Sequence, residues 1–291
     1  MVLCGPGLNN METVQTPEAM QRLALELKRA GKIIGLVPTM GFLHEGHLSL
    51  MRLARRRCDV LVASIFVNPT QFGPNEDLEA YPRDFERDEA LCREVGVDIV
   101  FYPDENNMYA GDASTWVKED ALSRVLCGAS RPIHFRGVCT VVAKLLNLVQ
   151  PDLAVFGEKD AQQLRIIERM VRDLNFPVEI VRGPTVRESD GLAMSSRNKY
   201  LTASRRKSAL CLRKALDLAQ QLVLQGERDV AAIRAAMLQT IEQFPETRVD
   251  YLEFVDDESL APIEAINERV LVALAVVIGS TRLIDNEVLE P

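Results

Sequence analysis

Several common ingredients are scarce here, and each shortage excludes something. The six cysteines (Cys4, Cys58, Cys92, Cys127, Cys139 and Cys211) are scattered, with no C-x-x-C spacing. That argues against a disulfide framework or a thiolate metal centre, and a chain of 291 residues needs no covalent staples. Reduced thiols in a cytoplasmic protein are the simpler expectation. No apolar run is long enough to span a bilayer, which takes roughly 20 residues; "VLVALAVVIG" near the C-terminus reads as a buried strand. The opening "MVLCGPGLNN" lacks the charged start and apolar stretch of a signal peptide. Residues 1–10 read as a loose leader before Met11. Positive charge is also in deficit, with a net charge of −8, so no standing grip on nucleic acid is expected. A local positive pocket for a small anion stays open. The one dense basic run, Arg55 to Arg57, reads as a solvated helix end favoured by the helix dipole. Histidine is the scarcest of all, at three residues.

What is present is alternation. "TPEAMQRLALELKRAG" has Thr16 as a helix cap, Pro17 at the first helical position and Gly31 as the stop. Strand-like "KIIGLVP", helical "HEGHLSLMRLARRR", strand-like "VLVASIFV", helical "PRDFERDEALCREVG" and strand-like "VDIVFYP" follow in turn. "RGVCTVVAKLLNLVQ" (helix), "DLAVFG" (strand), "AQQLRIIERMVRDLN" (helix) and "VEIV" (strand) continue the pattern. The succession predicts an α/β fold, a Rossmann-like doubly wound parallel sheet with helices on both faces. After Pro184 the character changes. "TASRRKSALCLRKALDLAQQLVLQ" and "RDVAAIRAAMLQTIEQF" read as two helices, and "RVDYLEFVD", "RVLVALAVVIG" and "TRLIDNEVL" as strands. This predicts two domains, residues 1–184 and a smaller C-terminal α+β domain over 185–291. No internal repeat or low-complexity tract is visible.

In such sheets ligands sit beyond the carboxyl ends of the strands, and the loops there are chemically loaded. "PTMGFLHEGH" places His44 and His47 at i and i+3, on one face of a helix start whose free N–H groups attract phosphate. Gly46 between them is expected to let a nucleotide press against backbone. In "GEKD", Lys159 suits a phosphate and Asp160 ribose hydroxyls. In "MSSRN", Ser195, Ser196 and Arg197 suit a phosphate clamp. Asn68 and Gln71 in "NPTQF", with Gln163 in "GEKDAQQ", offer neutral hydrogen bonds to a substrate bearing hydroxyls and a carboxylate. Each of these is ordinary surface chemistry taken singly. The polar stretch "FGPNEDLEAYPRD" reads as a lid or partner contact. His134, without a partner nearby in sequence, reads as structural rather than catalytic.

"VPTMGFLHEGHLSL", "SIFVNPTQF", "GEKDAQQL" and "VRESDGLAMSSRNKYL" stand in the order and separation of the signature blocks of the pantothenate synthetase (pantoate–β-alanine ligase) family, which this chain resembles from about Met11 onward. The first block alone marks only the wider nucleotidyltransferase group. The resemblance implies an ATP-dependent ligase acting through an acyl adenylate, with Mg²⁺ accompanying ATP and a homodimeric assembly. It implies ATP contacts from Met40, Gly41, Phe42, Leu43, His44, Glu45, Gly46 and His47, with His47 as proton donor. Further ATP contacts would come from Gly157, Glu158, Lys159 and Asp160, from Val186, and from Met194, Ser195, Ser196 and Arg197. Gln71 and Gln163 would hold pantoate, and Gln71 would also touch β-alanine. His44, Lys159 and Arg197 would join His47 in catalysis by gathering charge around the phosphates. No metal ligand follows from the motifs. Ile133 departs from the family's more usual glycine, which bears on the local loop shape. Two other readings fit the fold: a nucleotidyltransferase that joins AMP or CMP to a phosphorylated metabolite, and a non-catalytic nucleotide sensor. The first would need a basic second pocket, and the second would be expected to lose a charged site residue. No nucleic acid or membrane partner is expected.

Overall fold

The computed structural model describes residues 11–74 and 76–291; the expected leader at 1–10 lies outside the described residues. Its first layer system is a six-stranded, wholly parallel sheet in the order β1-β4-β3-β2-β5-β6. The strands are β1 (Glu12–Val14), β2 (Ile34–Thr39), β3 (Val60–Ile65), β4 (Ile99–Phe101), β5 (Leu153–Gly157) and β6 (Glu179–Gly183). Helices α1 (Pro17–Arg29), α2 (Glu45–Arg55), α3 (Phe85–Glu94), α6 (His134–Val149) and α7 (Ala161–Asp173) cross between them. Two one-turn helices, α4 (Glu105–Met108) and α5 (Cys127–Ser130), punctuate the long β4–α6 connection. The order bears out the doubly wound expectation. From β2 the chain steps outward through β3 and β4, then returns to the far side of β2 as β5 and β6. The loops after β2 and β5 therefore diverge to opposite faces from adjacent strands, which opens a crevice between them.

Local chemistry explains the elements. Thr16 Oγ1 accepts the Ala19 N–H at 3.3 Å, and Pro17 follows it at the first turn; such a cap contributes about 1 kcal/mol. Strand β3 reads as continuously apolar because both its faces are covered: Val62 packs into one core cluster and Leu61, Ala63 and Ile65 into another. Strand β1, three residues on the sheet edge, is too short for alternation to register in the sequence.

Beyond β6 a three-stranded antiparallel sheet, β7 (Thr247–Asp256), β8 (Val270–Ile278) and β9 (Thr281–Leu289), packs with α8 (Ala203–Ala209), α9 (Cys211–Leu224) and α10 (Val230–Glu242). Its central strand β8 turns Val270, Val272, Leu274, Val276 and Ile278 toward α9 and α10, while Leu271 and Ala273 join the core of the parallel sheet. That double burial is why an antiparallel strand reads as an unbroken apolar run. The segment 202–225 expected as one helix is two, meeting at Leu210. The reason lies in their separate attachments: α8 sends Arg205 to Glu246 and Arg206 to Glu188 and Asp190, whereas α9 buries Leu212, Ala215, Leu216 and Ala219. A buried ion pair, Arg165 on α7 with Asp257 after β7, ties the two sheets' elements together. The arginine run at the end of α2 is not uniformly solvated as expected. Arg55 pairs with Asp98 and donates to the Cys58 carbonyl oxygen, pinning the helix end to the β4 side of the sheet.

Candidate active site

The turn between β2 and α2 is built before any ligand arrives. Gly41 and Phe42 both take left-handed backbone, φ +80° and +49°, which costs a non-glycine residue roughly 1–2 kcal/mol. The buried carboxylate of Asp88 on α3 holds the turn, accepting the Phe42 N–H at 2.6 Å and the Leu43 N–H at 2.7 Å. Burial pushes its carboxyl above the usual range in spite of those two bonds. Arg87 donates to the Leu43 carbonyl oxygen at 2.9 Å. The chain therefore enters α2 in a fixed direction, with His44 as N-cap.

His44 and His47 do lie together, ring centroids 4.0 Å apart. The His44 backbone N–H donates to His47 Nδ1 at 3.2 Å. Because that nitrogen accepts, the neutral His47 ring carries its proton on Nε2. Burial lowers the basicity of both rings, and Lys159 lowers it further; His44 falls to about 4, and His47 is lowered well below its ordinary value, with His44 itself adding to the effect. Both are neutral imidazoles at neutral pH. His44 Nδ1 is buried against Gly46 without a hydrogen-bond partner among the described residues, while the residue itself lines the cleft. Gly46 lines the cleft, and its bareness also makes room for the His44 imidazole, since a Cβ there would stand 2.9 Å from that ring.

Lys159 and Asp160 follow β5 in a short 3-10 turn, Nζ to Oδ2 3.6 Å. Asn286 of β9 donates to the Glu158 and Lys159 carbonyl oxygens at 3.0 and 2.8 Å, fastening the turn from the second sheet. Val186 and Met194 are joined backbone to backbone at 3.0 Å. Ser195 caps the next turn, and Ser196 Oγ donates to the Phe42 carbonyl oxygen at 3.3 Å, so this loop rests on the β2–α2 turn. Arg197 forks onto Asp77 at 2.8 and 2.9 Å. The cation expected as part of a phosphate clamp is thus compensated by an internal carboxylate. For Asp77 burial raises the pKa, but the Arg197 bonds outweigh it and leave the carboxyl below its usual range.

His44, His47, Lys159 and Arg197 all line one cleft of about 220 Å³, together with Met40, Gly46, Gly157, Asp160, Val186, Met194, Ser195 and Ser196. Gly41, Phe42, Leu43, Glu45 and Glu158 do not line it: Leu43 is core, and Glu45 turns outward to Arg52. Asn68, Gln71 and Gln163 also line it, and Gln71 and Gln163 line a second, larger cavity of about 750 Å³ alongside. Asn68 has spent its amide internally, donating to Gln71 Oε1 at 3.0 Å and the Gly137 carbonyl oxygen at 3.2 Å while accepting from Thr70 and Tyr109. It fixes the Gln71 amide, whose oxygen is held and whose Nε2 points toward Met40 Sδ, 3.3 Å away. Gln162, by contrast, clamps the 122–127 segment, so of the two adjacent glutamines only Gln163 is left to the cleft wall.

Sequence reasoning missed Asp88, Tyr81, Asp77 and the Glu76–Arg131 ion pair that lines the larger cavity. Only Arg131, three residues before His134 in "RPIH", carried a signal: two basic side chains one turn apart before an apolar helix. Ile133 sits in ordinary right-handed backbone, φ −94°, so the position makes no demand for glycine. Among the described residues no cluster of three or more His, Cys, Asp or Glu could hold a metal.

Fold and site together define a doubly wound α/β enzyme with an imidazole- and cation-lined cleft at the topological switch point. The family described as pantoate-beta-alanine ligase matches residues 12–288. A curated relative from Moorella thermoacetica, pantothenate synthetase, is 59% identical over 280 residues, covering 96% of this chain and 99% of the relative. The crystal structure of pantothenate synthetase from Thermus thermophilus superposes with a TM-score of 0.92 at 48% identity, covering 97% of this chain and 100% of the other. A pantoate-beta-alanine ligase from Francisella tularensis, complexed with beta-gamma ATP and beta-alanine, gives a TM-score of 0.77 at 33% identity, covering 95% and 97%. The chain belongs to the pantoate-beta-alanine ligase family.

Proposed function

We propose that this enzyme condenses (R)-pantoate with β-alanine to give pantothenate, using ATP and passing through pantoyl adenylate. Pantoate carboxylate attacks the α-phosphorus and expels pyrophosphate; the amine then attacks the acyl carbon and expels AMP. The observation that carries this reading is the meeting of His44, His47, Lys159 and Arg197 in one cleft whose wall, Gln71 and Gln163, is shared with a second cavity. A carboxylate attacking a polyanion needs donors gathered around the phosphates. His47 offers its Nε2–H, fixed by the bond at Nδ1; His44 offers the part of its ring that lines the cleft; Lys159 offers charge. Arg197 would reach phosphate while staying neutralised by Asp77 or by exchanging it. Gln71 and Gln163 would bind pantoate through neutral amides, with Asn68 acting by orienting Gln71. Of the arginines that line the larger cavity, Arg131 is matched by Glu76, Arg197 by Asp77 and Arg282 by Asp250, with Arg248 at the exposed mouth; an interior so neutralised argues against a phosphorylated second substrate.

Mg²⁺ would arrive with the triphosphate, a hard ion that keeps waters and takes few protein ligands. The half-exposed carboxylate of Asp160 suits that partial role, and the ion would neutralise phosphate charge. The 1–184 and 185–291 division, with the C-terminal part as lid, extends the same reading, as do a homodimer and a cytoplasmic location. No helix among the described residues is long and apolar enough to cross a membrane.

Pyrophosphate exchange into ATP tests the chemistry. Exchange that requires pantoate but not β-alanine is the expected result. Exchange indifferent to pantoate, with no pantothenate formed, would reject the ligase assignment.

A further inference from the structure

Resting on the ligase reading, we propose that His134 is the proton acceptor of the amide-forming step, its Nε2 taking the proton that the attacking amine sheds. His134 opens α6 and is buried, with Nδ1 2.9 Å from the carbonyl oxygen of Gln71. A carbonyl oxygen only accepts, so Nδ1 carries the hydrogen and the lone pair of the neutral ring sits on Nε2. Burial, helped by Arg131, lowers the ring's pKa to about 4, which keeps that lone pair free at neutral pH.

The placement fits the second half of the reaction and not the first. His134 lines the larger cavity but not the nucleotide cleft. An acyl group activated at the shared wall has its nucleotide on the cleft side, which leaves the larger cavity for the incoming amine. That cavity reaches exposed residues at Ser130, Arg248 and Ser280. Its other candidate bases are spoken for. Glu76, Asp77, Asp250 and Asp285 are each ion-paired with an arginine, and Asp160 stands beside Lys159. Burial pushes the Tyr251 phenol well up, out of use as a base.

The step balances. The amine, as its free base, forms the N–C bond; the C–O bond to phosphate breaks and AMP leaves with the electron pair. As the N–C bond forms, the nitrogen's hydrogens become strongly acidic, so a weakly basic imidazole suffices. One of them passes to His134 Nε2, giving an imidazolium near Glu76 that returns its proton to water.

His134→Asn is the test, because its amide N–H can still donate to the Gln71 carbonyl oxygen while offering no basic nitrogen. Pantoate-dependent pyrophosphate exchange should stay within about two-fold of wild type. Single-turnover aminolysis of enzyme-bound pantoyl adenylate should fall on the order of 10²-fold. Equal loss in both steps would leave His134 a purely structural residue, and undiminished aminolysis would remove it altogether. His134→Gln repeats both measurements if the Asn variant does not fold. In the wild type, ¹⁵N spectra should show His134 protonated at Nδ1, and the opposite tautomer overturns the proposal. Wild-type enzyme without pantoate-dependent exchange would sink the ligase reading itself, whereas normal exchange with unaffected variant aminolysis sinks only the role of His134.

Discussion

Mild acid should destabilise this protein well before its carboxylates protonate. His44 and His134 titrate near 4 in the folded state against about 6.5 ordinarily, and His47 is lowered in the same direction. The unfolded chain therefore takes up protons first as the pH falls, and stability drops from about pH 6.5 until the folded rings titrate near 4. At pH 5.5 an unfolded histidine is roughly nine-tenths protonated while the folded ring is nearly bare, which removes about 1.3 kcal/mol per ring relative to pH 7.5. His44 and His134 together remove about 2.6 kcal/mol, and His47 adds to this. For a chain of this size that corresponds to a melting temperature lower by roughly 5–10 °C. Glu76 and Asp77, both held below the usual carboxylate range, remain ionised over this interval. Asp88, pushed up by burial, works in the opposite direction, gaining stability as pH falls and offsetting part of the loss. Thermal melts followed by circular dichroism at the two pH values check the sum. The same melts on His134→Asn check one share: the variant should be less sensitive than wild type by about 1.3 kcal/mol. A midpoint that holds steady or rises between pH 7.5 and 5.5 would show that these rings are not buried neutral bases.

His47→Ala should slow pantoate-dependent exchange by on the order of 10²–10³ through loss of a preorganised donor, and near-normal exchange would take His47 out of the chemistry. Asp88→Asn can satisfy only one of the two N–H groups at Phe42 and Leu43 and sets an amide against the other, so stability should fall by about 1–3 kcal/mol in a denaturant titration, with exchange falling alongside; an unchanged midpoint would contradict the turn-holding role. Gly137→Ala would put a Cβ 2.5 Å from the Thr70 carbonyl oxygen and 2.6 Å from the Gln71 nitrogen. The 69–71 turn must then shift, costing about 1–3 kcal/mol and raising the KM for pantoate several-fold, while ATP affinity measured by calorimetry should change little.

The parallel sheet was legible because its strands are covered on both faces and its helices carry their own stops, so period and punctuation agree. The loaded loops were legible for a topological reason: a doubly wound sheet sends its chemistry to strand carboxyl ends, and those loops are the segments whose polarity lacks a packing explanation. What stayed hidden depends on partners far away in the chain. Asp88 is one more acidic residue in "FERDEALCRE" until α3 packs and turns its carboxylate onto Phe42 and Leu43. Arg197 reads as a free cation until Asp77, 120 residues earlier, closes on it. Gly46 shows the same limit at short range, since nothing in "HEGH" says which group fills the space over the glycine.

The pairing of cations with internal carboxylates bears on how such a site can be selective. Arg197 with Asp77 and Arg131 with Glu76 join the same short loop to two different walls of the connected cavities. A free guanidinium there would attract any small anion, whereas a forked pair yields only to a ligand that matches its two parallel hydrogen bonds and repays the separation of the charges. Apart from Lys159, the other polar groups that line the nucleotide cleft near these pairs are neutral: the imidazoles of His44 and His47, and the amides of Gln71 and Gln163. Neutral donors give little long-range attraction but grow in worth as charge develops on the atoms they touch in a water-poor cleft. On the proposed reading, ion pairs would set which anions gain entry, while imidazoles and amides would act on the charge that appears only during the reaction.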